Sequence, residues 1–95
     1  MMTKEDMKTF DEYSRWVERK IITEPRDRLN ENVLGLCEEA GEVAGKIKKR
    51  IRDDTKVSPE DILLELGDVL FYTTALANYY GFNLTTTIIS NMHKL

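Results

Sequence analysis

The sequence predicts an all-α fold, a bundle of four helices, and three observations carry that expectation. Apolar residues recur at steps of three and four along the whole chain, and no stretch alternates strictly between apolar and polar positions. Helix-start signals stand at Thr3, Ser58 and Asn83, with short links between the helical stretches. The first helix starts at Thr3, whose hydroxyl can cap the Asp6 amide while that carboxylate reaches back. Met7, Phe10, Val17 and Ile21 follow at helical spacing, and the helix ends before Pro25. After the polar stretch from Thr23 to Arg28, a long second helix carries Leu29, Val33, Leu36, Ala40, Val43 and Ile47 at alternating steps of four and three, with Ile51 one turn beyond. At 1.5 Å per residue it spans roughly 35 Å. Asp53 to Val57 reads as a polar connector. Ser58 as N-cap, Pro59 at the first helical position and the acids Glu60 and Asp61 then open a third helix, which runs to Tyr80 and stops at Gly81. Asn83 caps a fourth, shorter helix with Ile88, Met92 and Leu95 on one side.

Composition bounds the function. Ninety-five residues make one domain, 1–95, and a chain of this size buries roughly 65% of its unfolded surface. The core is therefore thin, and an obligate homo-oligomer is expected. With 41% apolar and 33% charged residues the chain is outside the regime of disorder. The net charge of −3 offers no basic excess, which argues against a nucleic-acid duplex as partner. Cys37 has no second cysteine to pair with, residues Met1 to Asp6 lack an apolar signal core, and no apolar run approaches the roughly 20 residues needed to cross a bilayer. A soluble, cytoplasmic protein with no membrane contact is the expectation.

The chemistry lies in the carboxylates. On the second helix Glu38, Glu39 and Glu42 fall within about 100° of one another, on the side away from the Leu29 to Ile51 stripe. On the third helix Glu65 and Asp68, an i, i+3 pair, interrupt a segment that is apolar on two sides and should be largely buried. Carboxylates in that setting need cations, and Lys56 is the only basic residue between Asp53 and Tyr80. Acids on a helix commonly form a solvated face, with Lys46 and Lys49 as surface ion-pair partners. The buried Glu65 and Asp68 favour instead a five-acid cluster shared between two antiparallel helices. Oxygen ligands without histidine select Mg²⁺, with Mn²⁺ as substitute, over zinc or iron. Five carboxylates against two Mg²⁺ leave a site that accepts a phosphate-bearing ligand only through the metals, so phosphoanhydride hydrolysis is the natural reaction.

The strings Gly35-Leu-Cys-Glu38-Glu39-Ala-Gly-Glu42-Val-Ala-Gly-Lys46 and Glu65-Leu-Gly-Asp68-Val-Leu-Phe-Tyr72 closely resemble the MazG-like nucleoside triphosphate pyrophosphohydrolases, whose motif is EExxE followed after a spacer by ExxD. Here 22 residues separate Glu42 from Glu65, and the likeness runs from about Tyr13 to Leu95. The resemblance implies hydrolysis of nucleoside triphosphates to monophosphate and pyrophosphate with Mg²⁺, by homodimers or homotetramers. It implies Glu39, Glu42, Glu65 and Asp68 as metal ligands, with Glu38 a second-metal ligand or water-orienting base beside Glu39. An Asn-x-x-Lys pattern in the last helix is matched by Asn91 and Lys94, which together with Lys46 become candidate substrate contacts.

Several residues stay open between two roles. Trp16 and Tyr13, three apart and off the main stripe, suit packing or stacking on a nucleobase. Gly41 and Gly45 suit a close helix crossing or the approach of a ligand beside the acids. Cys37 reads as core filler, and His93 has no catalytic partner. Two alternatives stand beside the pyrophosphohydrolase: a phosphoribosyl-ATP pyrophosphohydrolase on the same acid scaffold, and a non-catalytic helical oligomerisation or regulatory module whose acids hold a structural cation or only solvent.

Overall fold

The computed structural model describes residues 2–54 and 56–95; Thr55, within the expected polar connector, and Met1 lie outside the described residues. Four helices run in order, α1 (Lys4–Lys20), α2 (Arg28–Asp53), α3 (Pro59–Tyr79) and α4 (Leu84–Lys94), and no strand is found among the described residues. Local chemistry sets their starts. Thr3 and Asp6, Ser58 and Asp61, and Asn83 and Thr86 each form a reciprocal capping box, in which the cap side chain accepts from the third amide and the third side chain accepts from the cap amide. α3 stops as expected at Gly81, whose φ of 81° opens the left-handed turn. The Phe82 amide donates to the Ala77 carbonyl at 2.9 Å and the Gly81 amide to Asn78 at 3.0 Å, the paired bonds of a Schellman motif. α1 ends at Lys20, leaving Ile21 just past it, and a single 3-10 turn at Pro25–Asp27 leads into α2. α2 carries one residue further than expected, to Asp53, and ends on Asp54 in the left-handed region at φ 52°.

The four helices do not close into a bundle within one chain. α2 packs along α3, while α1 and α4 pack on other faces of α3 and on each other. A radius of gyration of 15.3 Å exceeds the value of about 12 Å for a compact chain of this length. The hydrophobic core is accordingly small: Val17, Ala75 and Leu84, joined by the buried polar residues Ser14, Thr74 and Thr85. Ser14 ties three helices together, because its hydroxyl donates to the Phe10 carbonyl and accepts from the Leu84 amide, both at 2.9 Å, and its carbonyl accepts from Asn78.

This open arrangement corrects two expectations. α3 is not largely buried: Leu63, Leu64, Leu66 and Leu70 are 41–70% exposed, because α2 covers one side of the helix, α1 and α4 another, and none of the described residues covers the third. Nor does α2 turn its apolar stripe squarely to the core. It meets α3 along the line of Asn32, Gly35, Glu39 and Lys46, about 95° round from the centre of the stripe. Leu36 and Val43 flank that contact, while Val33, Ile47 and Ile51 on the stripe's far edge stay exposed. The face of α2 that bears Glu39 is thus the face that packs.

Candidate metal centre

Because α2 and α3 run antiparallel, residues late in one oppose residues early in the other: Gly35 meets Tyr72, Glu39 meets Glu65 and Asp68, and Lys46 meets Glu65. Glu65 and Asp68 share a face of α3 by their i, i+3 spacing. One carboxylate oxygen from each of Glu39, Glu65 and Asp68 lies within 4.8 Å of the other two. Glu39 and Glu65 are half-buried and Asp68 is exposed at the mouth.

The group is short of positive charge. Glu65 Oε1 lies 3.8 Å from the Lys46 ammonium, and Glu65 Oε2 is buried with no hydrogen-bond partner. A buried acceptor without a donor costs about 1–3 kcal/mol, more when charged. The Glu39 carboxyl is pushed above the usual glutamate range, first by burial and then by the neighbouring carboxylates of Asp68, Glu65 and Glu38. The Tyr72 phenol is pushed up by burial and then by Glu39, Glu31, Glu38 and Asp68, and the Tyr13 phenol by burial and then by Asp68. Clustered oxygen donors carrying an unsatisfied lone pair suit a hard divalent cation, which would satisfy Oε2 and relieve the mutual repulsion together. Among the described residues no other group of three candidate ligands comes this close.

The remaining expected site residues divide. Glu38 and Glu42 are exposed and outside the trio; Glu38 borders an adjoining cleft with Tyr72, Gly35 and Leu34. Lys46 belongs to the cluster, bound to Glu65 rather than forming an ordinary surface pair. Trp16 stacks on Tyr13, with centroids 5.7 Å apart, and meets Phe71 edge-on at 6.1 Å, with the Lys20 ammonium over its outer face. Asn91 and Lys94 sit on the last turn of α4, which packs on α1 and α3 but not on α2, so a single chain does not bring them to the carboxylates. Cys37 is exposed, which corrects its reading as core filler.

Gly41 and Gly45 have open space where a Cβ would be, so no close approach occurs at either within the chain. The close approach is at Gly35 instead, where a Cβ would collide with the Tyr72 ring. Gly35, Tyr72 and the fully buried Asn32 are the residues that sequence reasoning did not nominate. A signal existed: Gly35 lies four residues before Glu39 and Tyr72 four after Asp68, so each shares a face with its acid, one turn on. In antiparallel register those two turns oppose one another.

Fold and site together define the class, an all-α protein with a carboxylate cluster between two antiparallel helices. The MazG nucleotide pyrophosphohydrolase domain matches residues 28–95, which contain α2, α3, α4 and all three clustered acids, and the chain belongs to that family. The gene 37 protein of Mycobacterium phage L5 is 42% identical over 66 residues, 65% of this chain and 58% of that protein, so the chain spans a little over half of the relative's length. No solved structure matches. No helix among the described residues is long and apolar enough to cross a membrane.

Proposed function

We propose that this chain, as one domain over residues 1–95, hydrolyses nucleoside triphosphates to nucleoside monophosphate and pyrophosphate with Mg²⁺, for which Mn²⁺ can substitute. The observation that carries the reading is the convergence of Glu39, Glu65 and Asp68, with a buried unpartnered oxygen on Glu65, inside the segment that matches the pyrophosphohydrolase domain. Bound there, the metal supplies polarisation of a phosphate oxygen and a lowered pKa for its water. Glu39, Glu65 and Asp68 hold it, and Glu42, three residues after Glu39 and exposed, completes the ligand set from the rim. Glu38, facing the adjoining cleft, orients the attacking water together with Glu39 and accepts its proton. Attack at the α-phosphorus releases pyrophosphate. Lys46 at the edge of the acids takes phosphate charge, and Trp16, 41% exposed, offers its ring to the base.

The same reading includes a cytoplasmic homodimer or homotetramer. Leu63, Leu66 and Leu70 form an i, i+3, i+7 row on α3 that none of the described residues covers, and Val33, Ile47 and Ile51 extend the exposed apolar surface onto α2. A second copy that buries this surface is also the route by which Asn91 and Lys94 reach a substrate.

The test is product analysis over canonical and damaged NTPs and dNTPs and phosphoribosyl-ATP, with and without Mg²⁺. The expected products are a monophosphate and pyrophosphate, with label from ¹⁸O-water in one of the two. A diphosphate with orthophosphate, or no turnover of any substrate, contradicts the proposal.

A further inference from the structure

Lys46 is the only cation in contact with the three acids among the described residues, and its geometry is that of a loosely held counter-ion. It stands seven residues after Glu39, two turns along the face of α2 that packs on α3. Its ammonium reaches Glu65 Oε1 at 3.8 Å, beyond the 2.7–2.9 Å of a charge-assisted hydrogen bond. The lysine side chain is 33% exposed and that of Glu65 18%, so the pair lies at the boundary of the cluster with water on the lysine's side. Among the described residues no ion pair reaches Glu39 or Asp68, so the ammonium offsets the Glu65 end of the cluster and leaves the other uncompensated.

A divalent ion among Glu39, Glu65 and Asp68 would place two positive charges close to that ammonium on the same Glu65 carboxylate. The two cations repel one another, and a fixed charge at this range changes affinity through the partly screened field of a protein surface. A lysine, with a flexible four-carbon stem and a strongly hydrated head, gives way at little cost.

We propose that Lys46 is a resident counter-ion that holds Glu65 while the carboxylate site is empty and is displaced from it by the divalent cation. Removing the lysine therefore strengthens metal binding, whereas a lysine that only supports the fold or only meets substrate would leave metal affinity unchanged or weaken it. The inference rests on the metal-site reading above, but its readout needs no nucleotide and no turnover.

The test is calorimetric titration of Mg²⁺ into the metal-free protein, wild type against Lys46→Met, which keeps the stem and loses the charge. Lys46→Gln serves as a second variant, Lys49→Met as a control on the same helix, and thermal melts verify folding. The expected result is a Kd for Mg²⁺ about five- to tenfold tighter in both Lys46 variants, with Lys49→Met close to wild type. In 0.5 M KCl the gain should shrink, because the ammonium is partly exposed. An unchanged or weaker Kd in both variants, or an equal gain in Lys49→Met, overturns the proposal while leaving the pyrophosphohydrolase reading standing. Wild-type protein that binds no Mg²⁺ overturns both.

Discussion

Where α1, α2 and α3 meet, Arg28 donates two hydrogen bonds to the Glu18 carboxylate at 2.5 and 2.6 Å, and the Asn78 amide donates to the same carboxylate at 3.1 Å and to the Ser14 carbonyl at 2.9 Å. Three turns along α2, Glu39, Glu65 and Asp68 converge with one ammonium at 3.8 Å and a buried oxygen that has no partner. Both groups sit on the face of α2 that meets the rest of the molecule. At the first, charge is matched even though Arg28 Nε is itself buried without a partner, and the Glu18 carboxyl is held below the usual glutamate range chiefly by the Arg28 hydrogen bonds. At the second, like charges are stacked and Glu39 is driven the other way. A fold with three buried apolar side chains among the described residues tolerates little unmatched charge, and this favours the second group as the ligand site we propose.

The sharpest way to break that contrast is to neutralise each group in turn. Glu39→Gln, Glu65→Gln and Asp68→Asn should each lower Mg²⁺-dependent pyrophosphate release by orders of magnitude, and Glu38→Gln by about 10²- to 10⁴-fold, the usual worth of a positioned base. Arg28→Ala should leave the Mg²⁺ affinity of the folded protein near wild type but cost about 2 kcal/mol in urea unfolding, since it leaves Glu18 with Asn78 alone and unties α1 from α2. Equal damage to stability at both groups would mean that the acids are structural.

Gly35→Ala probes the contact that sets the spacing of the two helices beside the acids. The added methyl meets the Tyr72 ring, and the displacement should destabilise by about 1–3 kcal/mol, with partial recovery in Gly35→Ala/Tyr72→Leu. Denaturant melts of the two variants read the effect, and additive losses would remove the interlock from the account.

The smallest effect is in the pH dependence of the metal-free protein, where the two groups give slopes of opposite sign. Glu18 has a depressed folded pKa, so its stabilisation is present above the ordinary glutamate value of 4.5 and is lost as pH falls through the depressed value. Glu39 has a raised folded pKa, so the folded chain holds that proton more tightly, and stability declines as pH rises from 4.5 through the raised value. Melting temperatures from acid to neutral pH should lose the weakly acidic decline in Glu39→Gln and the acid-side loss in Glu18→Gln.

Much of this architecture was legible in the sequence because it is local. The caps at Thr3, Ser58 and Asn83 and the stop at Gly81 depend on residues within one turn, and the helices begin and end there. The convergence of Glu39, Glu65 and Asp68 followed from i, i+3 spacing and antiparallel pairing. What stayed hidden depends on how α2 rolls about its axis. Apolar periodicity places Leu29 to Ile51 on one stripe, but Gly35 admits the Tyr72 ring, and α2 settles with Glu39, not the stripe, toward α3. That roll turns Lys46 to Glu65, leaves Glu38 and Glu42 outside the trio and exposes the stripe's far edge, consequences of a contact between residues 37 apart in sequence.

Whether the clustered carboxylates of Glu39, Glu65 and Asp68 serve a divalent ion is read from the melting temperature of wild type and Glu39→Gln as Mg²⁺ is titrated in. Wild type should rise steadily, by the equivalent of about 2.7 kcal/mol at a hundredfold excess over Kd. Glu39→Gln should start level with wild type or above it and stay flat. A variant that melts lower without metal, or rises with Mg²⁺ as wild type does, would contradict the account.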